Sequence, residues 1–468
     1  MQLYNTLTRQ IEELKPNNSP NVAIYTCGPT VYDYSHIGHW FTYVRTDTLI
    51  RSLKINNLVP KWVMNITDVG HLVSDADDGE DKIARQAKKE AKNAWQIAEF
   101  YTKDFLTGLN QLNITQPSLL VKATDHITDQ IDLINKLEAK NYTYVIENDG
   151  VYYDTGKFPR YSNFARLDID EQQPGKRVYF NPKKRQISDF ALWKFSPQDT
   201  QRDMEWPSPW GIGFPGWHIE CSAMSMKYLG PTLDIHTGGI DHIPIHHTNE
   251  IAQSEAITNK PLANHWFHSN HVLIDNQKIS KSLGNGIRLQ DLVENGFSPL
   301  DLRLHILESH YRSQSKFSWD SLESARNRYN DLKAMAVLRW QARPKTYDDT
   351  TFAIEDVITE ITNLINNDLD TPQILAYLSQ VSKQLQAVHI EEDMVIHLNN
   401  LLDFLDQLLG LELSAQADIS PEQKKLINKR QNARNNHQWQ ESDNIRQILL
   451  SQGIILRDEN DGSIWSRV

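Results

Sequence analysis

The segment from Asn21 to Thr67 constrains the fold more than any other, because its apolar residues change periodicity twice. NVAIYT is a short continuous apolar run and reads as a buried strand; HIGHWFTYVRTDTLIRSL then places Ile37, Trp40, Phe41, Val44 and Thr48 on one helical face; VPKWVMNIT reads as a second strand. Strand, helix and strand in that order make a βαβ unit. Such a unit implies a parallel sheet with right-handed crossovers and a ligand crevice beyond the strand ends. No G-x-G-x-x-G follows the first strand, so a dinucleotide site has no support.

The alternation stops and later resumes. From about Lys122 to Ser208 a helix, ITDQIDLINKLEAK, leads into strand and turn residues such as NYTYVIENDGVYYDTG, which reads as an insertion. After Gly216, PTLDIHTGG reads as strand and turn, HTNEIAQSEAI as a helix, and HSNHVLIDNQ leads into a loop. Two sheet halves around an insertion fit one split domain. Beyond Phe317 strand signals nearly vanish, and DMVIHLNNLLDFLDQLLGLEL repeats leucine at helical spacing, as in a helical bundle. After the breaker SAQADISPEQ, a basic helical unit ends in GIILRDENDGSIWSRV, a strand pair. The expected α/β architecture is a Rossmann-like domain in two halves, 1–121 and 209–270, around a connective insertion at 122–208. A loop-bearing region at 271–316, a helical bundle at 317–415 and a small α+β unit at 421–468 follow.

Composition narrows the function classes. Hydrophobic residues make up 39% and charged residues 23%, which is globular rather than disordered chemistry. No apolar run approaches the roughly 20 residues of a membrane span, and the N-terminus lacks a basic-then-apolar secretory layout. Two cysteines in 468 residues make no disulfide scaffold, so a reducing cytoplasm is the expected compartment. The net charge of -12 argues against coating nucleic acid by bulk electrostatics. Local patches remain: KKLINKRQNAR at 424–434 has five basic residues and no acidic one, and KRVYFNPKKR at 176–185 is basic with two aromatics. Either run by itself reads first as a solvated face.

Three clusters carry chemistry. His36 and His39 open the helix after the first strand, where unpaired backbone donors and the helix dipole favour phosphate, and Gly38 between them lets a base or ribose approach the backbone. Two histidines at a helix start are more often capping or packing, but the position after a strand favours a ligand. KISKS, with Lys278, Ser280 and Lys281, is a lysine-rich loop of the kind that clamps a polyphosphate. The third cluster joins distant segments. Cys27 and Cys221 cannot form a local C-x-x-C, while His246 and Glu250, at i and i+4, share one face of a helix and could bind one ion. Two thiols, an imidazole and a carboxylate make a zinc set. His247 points about 100° around that helix and reads as a hydrogen-bonded core residue.

His-Ile-Gly-His and Lys-Ile-Ser-Lys-Ser in one split α/β domain resemble the two signatures of the class I aminoacyl-tRNA synthetases. With Cys27, Cys221, His246 and Glu250, and with GWHIECSAMS, NITD, DFALWK and DGSIWSR, the chain is similar to the cysteinyl-tRNA synthetases over essentially its full length. The resemblance implies that the split Rossmann-like domain is catalytic, and that those four residues hold one Zn2+ per chain. It implies that Thr67, Trp217, His236 and Asp241 line the cysteine pocket, and that His36, Gly38, His39, Lys278, Ser280 and Lys281 bind ATP, used with Mg2+ as substrate. His36, His39, Lys278 and Lys281 are the implied catalytic group, stabilising departing pyrophosphate. Arg434, Asp443 and Asp458 are the implied tRNA contacts in an anticodon-binding unit. Trp439 and Trp465 there read either as stacking platforms or, slightly preferred, as core.

The expected partners are L-cysteine, ATP and cysteine tRNA, with no membrane and a monomeric chain. Zinc accounts for the thiols: it binds thiolate strongly and serine's hydroxyl poorly, a distinction an apolar pocket cannot make. Departures from the family pattern are Ile279 where methionine is usual, IPIHHTNE in place of a segment closer to FPHHENE, and a longer acidic HLVSDADDGED. Two other readings remain: a ligase that joins cysteine to an amino sugar, which would not need residues 317–468, and an inactive paralogue that binds tRNA. A zinc hydrolase is disfavoured by the lack of H-E-x-x-H and by a set of four protein ligands rather than three plus an open water.

Overall fold

The computed structural model describes residues 1–70, 81–166, 181–197, 201–274, 277–278, 286–342, 354–387, 390–459 and 462–467. The chain forms two compact units, Met1–Asp291 with Tyr311–Ser315, and Leu292–His310 with Lys316–Val468.

The first unit is built on five parallel strands in the order Ala263–Ser269, Leu233–Gly239, Asn21–Thr26, Val59–Ile66, Leu119–Lys122. The apolar run of the Asn21 strand reflects its place in the middle: Val22, Ile24 and Tyr25 are buried, as strands covered on both faces must be. The helix Ile37–Ile55 crosses over to the Val59 strand and buries the five residues expected on its inner face. It also buries Tyr43, Arg45, Asp47, Leu49 and Ile50, so it is enclosed on more sides than an amphipathic stripe implies. Arg45 satisfies its charge by donating to Ser269, the Asn270 carbonyl and Ser315. Strands run outward one way from Asn21–Thr26 and the other way from Leu233–Gly239, so the sheet reverses between these two. Thr26 and Thr237, at the C-terminal ends, are in register and share a hydroxyl hydrogen bond of 2.7 Å. A crevice at that reversal is where doubly wound sheets bind ligands.

The insertion contributes the helix Ile127–Ala139 and four antiparallel strands, Thr143–Ile146, Gly150–Tyr153, Phe190–Phe195 and Gly213–Pro215. Its sheet therefore reaches past Ser208, because Phe195 pairs with Gly213 and Trp193 with Pro215. The edge strand of the parallel sheet, Leu119–Lys122, ends where the insertion is expected to begin. An N-terminal hairpin, Gln2–Asn5 with Gln10–Glu13, meets the sheet at Trp266, whose N–H donates to Asn5 Oδ1 at 3.1 Å and whose carbonyl accepts from Thr6.

The second unit contains the helices Pro299–Leu307, Trp319–Ala336, Ile354–Asn366, Thr371–Ala387 and Met394–Leu409. Arg303 is fully buried and donates to the carbonyl of Leu409 at 2.6 Å, closing the end of the last of these. Gly410 follows with φ 65°, and a side chain there would lie 2.7 Å from the Arg303 guanidinium. Helices Pro421–Asn435 and Trp439–Ser451 and the hairpin Ile454–Glu459 with Gly462–Arg467 complete it, the strand pair falling where the sequence suggests. Among the described residues, no helix is long and apolar enough to cross a membrane.

Candidate metal centre and nucleotide site

Cys27 is the first residue beyond the Asn21–Thr26 strand, at the sheet reversal. Gly28 then passes so close to the neighbouring strand that a side chain would sit 1.7 Å from the Asn65 carbonyl oxygen, while its N–H donates to Asn65 Oδ1 at 2.8 Å. Cys221 comes from the helix Trp217–Leu229. His246 lies in a π-helical turn, Ile243–His247, that runs into the helix Thr248–Thr258 carrying Glu250. The wider turn keeps the i and i+4 pairing: His246 Nε2 lies 3.1 Å from Glu250 Oε1.

Donor atoms of these four buried residues lie within 4.8 Å of one another. Both cysteines are free, with Cys27 Sγ 4.0 Å from Cys221 Sγ and 3.6 Å from Glu250 Oε1. A tetrahedral zinc with metal–sulfur distances near 2.3 Å puts two thiolates about 3.8 Å apart, and a thiolate about 3.5 Å from a carboxylate oxygen. The residues fit that ion in donor type and spacing. A second set, Cys27, His236, His247 and Glu250, meets the same distance limit.

The electrostatics favour a cation. Burial pushes the Cys27 thiol up, as do Cys221 and Glu250 beside it. The hydrogen bond from Cys27 brings Cys221 down to about 7 against the cost of burial. Burial also resists charge on His246, yet Glu250 and Cys221 raise it to about 10. Glu250 is held below the usual carboxylate range because His236 and His246 outweigh its burial. Protons are thus shared among atoms that a divalent ion would bridge. Glu250 Oε2 accepts from His236 Nε2 at 2.8 Å, which orients the carboxylate from behind.

Of the residues expected around a cysteine substrate, Trp217 and His236 touch this cluster. Trp217 packs on His246 with ring centroids 4.5 Å apart. Thr67 donates to Glu220 Oε2 at 3.0 Å. His236 is buried against Trp266, and Asp241 lies exposed in the short turn Ile240–His242. Glu220, a fully buried carboxylate beside Cys221, escaped sequence reasoning, although GWHIEC spells it out. His247 is the hydrogen-bonded core residue expected, through His268 at 2.8 Å, but its Nε2 also stands 3.4 Å from Cys27 Sγ.

His36 and His39 stack with centroids 3.8 Å apart, and His39 Nδ1 accepts the N–H of His36, so the pair builds the helix entrance itself. The chain leaving the lysine loop docks there: Ile37 N–H donates to the Ile287 carbonyl at 2.8 Å, and His36 bridges Arg288. Gly38 lies in the first turn. Of the loop, Lys278 ends the short strand Gln277–Lys278; Ser280 and Lys281 lie outside the described residues, as does the acidic segment 71–80.

In the second unit Asp458 forms a bidentate pair with the buried Arg430, at 2.6 and 2.8 Å, and also pairs with Arg434. Two of the expected tRNA contacts are thus partners of each other, held by an arginine that only the basic run at 424–434 hinted at. Asp443 is exposed on the helix Trp439–Ser451. The preferred core reading holds for Trp465, 4% exposed, and not for Trp439, which is 58% exposed at a helix start.

Residues 13–327 match the family described as tRNA synthetases class I (C) catalytic domain, so fold and site together define a class I tRNA synthetase. The solved Mycobacterium tuberculosis methionyl-tRNA synthetase in complex with methionyl-adenylate shares the fold, with a TM-score of 0.60 at 13% identity over 86% of this chain and 95% of that one. Within the class, the chain belongs to the cysteine--tRNA ligase family. It is 38% identical to the cysteine--tRNA ligase of Treponema denticola over 100% of both chains, and 42% identical to cysteine--tRNA ligase 1 of Burkholderia lata over 98% of this chain and 95% of that one.

Proposed function

We propose that the chain activates L-cysteine with ATP and transfers it to the 3' end of cysteine tRNA, selecting the amino acid by its thiol at the Cys27, Cys221, His246 and Glu250 cluster. The convergence of those four donors at the sheet reversal carries the reading. A zinc ion held there would favour a thiolate ligand over a hydroxyl, the one property that separates cysteine from serine. Thr67, Trp217, His236 and Asp241 shape the surrounding pocket.

ATP, with Mg2+, lies along the entrance formed by His36, Gly38 and His39, at the positive end of the dipole of a 19-residue helix. The cysteine carboxylate attacks the α-phosphorus and pyrophosphate leaves. Lys278 and Lys281, with Ser280 between them, neutralise the growing charge together with the two histidines. A terminal ribose hydroxyl of the tRNA then displaces AMP from the acyl carbon, a step that positioning accelerates. Arg434, Asp443 and Asp458 read the tRNA at the anticodon, where unpaired bases expose their edges. The full-length likeness to cysteine--tRNA ligases includes residues 317–468, which favours tRNA over an amino sugar as acceptor.

Cys221→Ser tests this directly. The purified variant should lose bound zinc and cysteine-dependent ATP–pyrophosphate exchange together; full zinc content by elemental analysis would remove Cys221 from the metal set.

A further inference from the structure

Lys82 belongs to no motif, yet it lies beside the pocket. Its ammonium is 5.7 Å from the centroid of Trp217 and 6.0 Å from that of Tyr32, and the side chain is half-buried. Among the described residues no carboxylate pairs with it. Aromatic faces attract a cation but leave its N–H donors unused. Trp217 in turn lies on His246, so one indole neighbours both the ammonium and the donor cluster.

That placement is fixed by an arginine, Arg202. Asp81 caps the helix Lys82–Glu90 by accepting from Ala84 N–H at 2.9 Å, and its carboxylate pairs with Arg202. Arg202 also donates to the Gly70 carbonyl at 3.0 Å and lies 3.7 Å over the Phe214 ring. Phe214 is in the strand Gly213–Pro215, which leads into the helix beginning at Trp217. One guanidinium therefore holds Lys82 and Trp217 in a common frame.

We propose that Lys82 binds the carboxylate of the amino acid substrate while its thiol is held at the Cys27, Cys221, His246 and Glu250 cluster. This rests on the function proposed above. The carboxylate carbon of cysteine is three bonds, about 4 Å, from its sulfur, which carries it along the face of Trp217 toward the ammonium. One carboxylate oxygen bonds Lys82, and the other is left to attack the α-phosphorus. When the acyl–phosphate bond forms and pyrophosphate departs, the carboxylate charge is gone. The ion pair therefore belongs mainly to the ground state, and its loss should fall on KM for cysteine more than on kcat.

The test compares cysteine with cysteamine, which keeps the thiol and amine but lacks the carboxylate, on the zinc-loaded full chain. Lys82→Met should weaken equilibrium binding of cysteine, and raise its KM in pyrophosphate exchange, by about 10- to 100-fold, the effect of a charge-assisted hydrogen bond. Binding of cysteamine should be unchanged, and Lys82→Arg should restore most of the loss. Equal weakening toward both compounds, or unchanged cysteine binding in Lys82→Met, would overturn the assignment. Exchange by the wild-type chain tests the parent reading separately.

Discussion

His246 and His247 stand side by side, and each belongs to one of two donor sets that could hold a metal ion. His218 bonds Nδ1 of His246 and His268 bonds Nδ1 of His247, and burial with neighbouring imidazoles keeps the pKa of His247 well below the usual histidine range. Its Nε2 is 4.0 Å from Glu250 Oε1, against 3.1 Å for His246. The set with His246 also brings a second thiol, which suits zinc in charge and softness. His246→Ala should therefore cost most of the bound metal at stoichiometric loading, while His247→Ala should keep about one zinc per chain by elemental analysis. The reverse pattern would assign the ion to the second donor set. The i and i+4 spacing made His246 and Glu250 legible in the sequence because a helix turns spacing into proximity. Glu250's partner His236 was legible only through resemblance, since a strand and a helix bring them together.

At the scale of elements, the pair Arg430–Asp458 ties the helix Pro421–Asn435 to the terminal hairpin. Arg430, Ser463 and Arg434 hold the Asp458 carboxyl below the usual carboxylate range despite some burial. A depressed native value means that the stabilisation is present above the unfolded value of about 3.9 and disappears as pH falls through the native one. Asp458→Asn should thus destabilise the second unit at neutral pH, by about 1 kcal/mol given its exposure. The gap from wild type in thermal melts should close as pH falls below about 4; a gap independent of pH would mean that Asp458 acts without its charge. Secondary elements are legible in the sequence where periodicity is strong: NVAIYT is the strand Asn21–Thr26, and ITDQIDLINKLEA the helix Ile127–Ala139. What stayed hidden depends on long-range partners. The edge strand Gly213–Pro215 exists because Phe190–Phe195 offers it a ladder, and the burial of Arg303 depends on a carbonyl more than 100 residues away.

Across the whole molecule, the first unit holds the residues proposed to bind zinc, cysteine and ATP, and the second those proposed to read tRNA. Arg434→Ala should lower aminoacylation by about tenfold, the weight of a charged contact, while leaving tRNA-independent pyrophosphate exchange near wild type. Parallel loss of both activities would show that Arg434 supports the fold instead. A metal ion at the Cys27, Cys221, His246 and Glu250 cluster is proposed to choose the substrate by its thiol. The most direct test is ATP–pyrophosphate exchange by the zinc-loaded chain, without tRNA, for cysteine and serine side by side. Exchange with cysteine and, at equal concentration, almost none with serine is the predicted result; comparable exchange with serine, or none with cysteine, would contradict it.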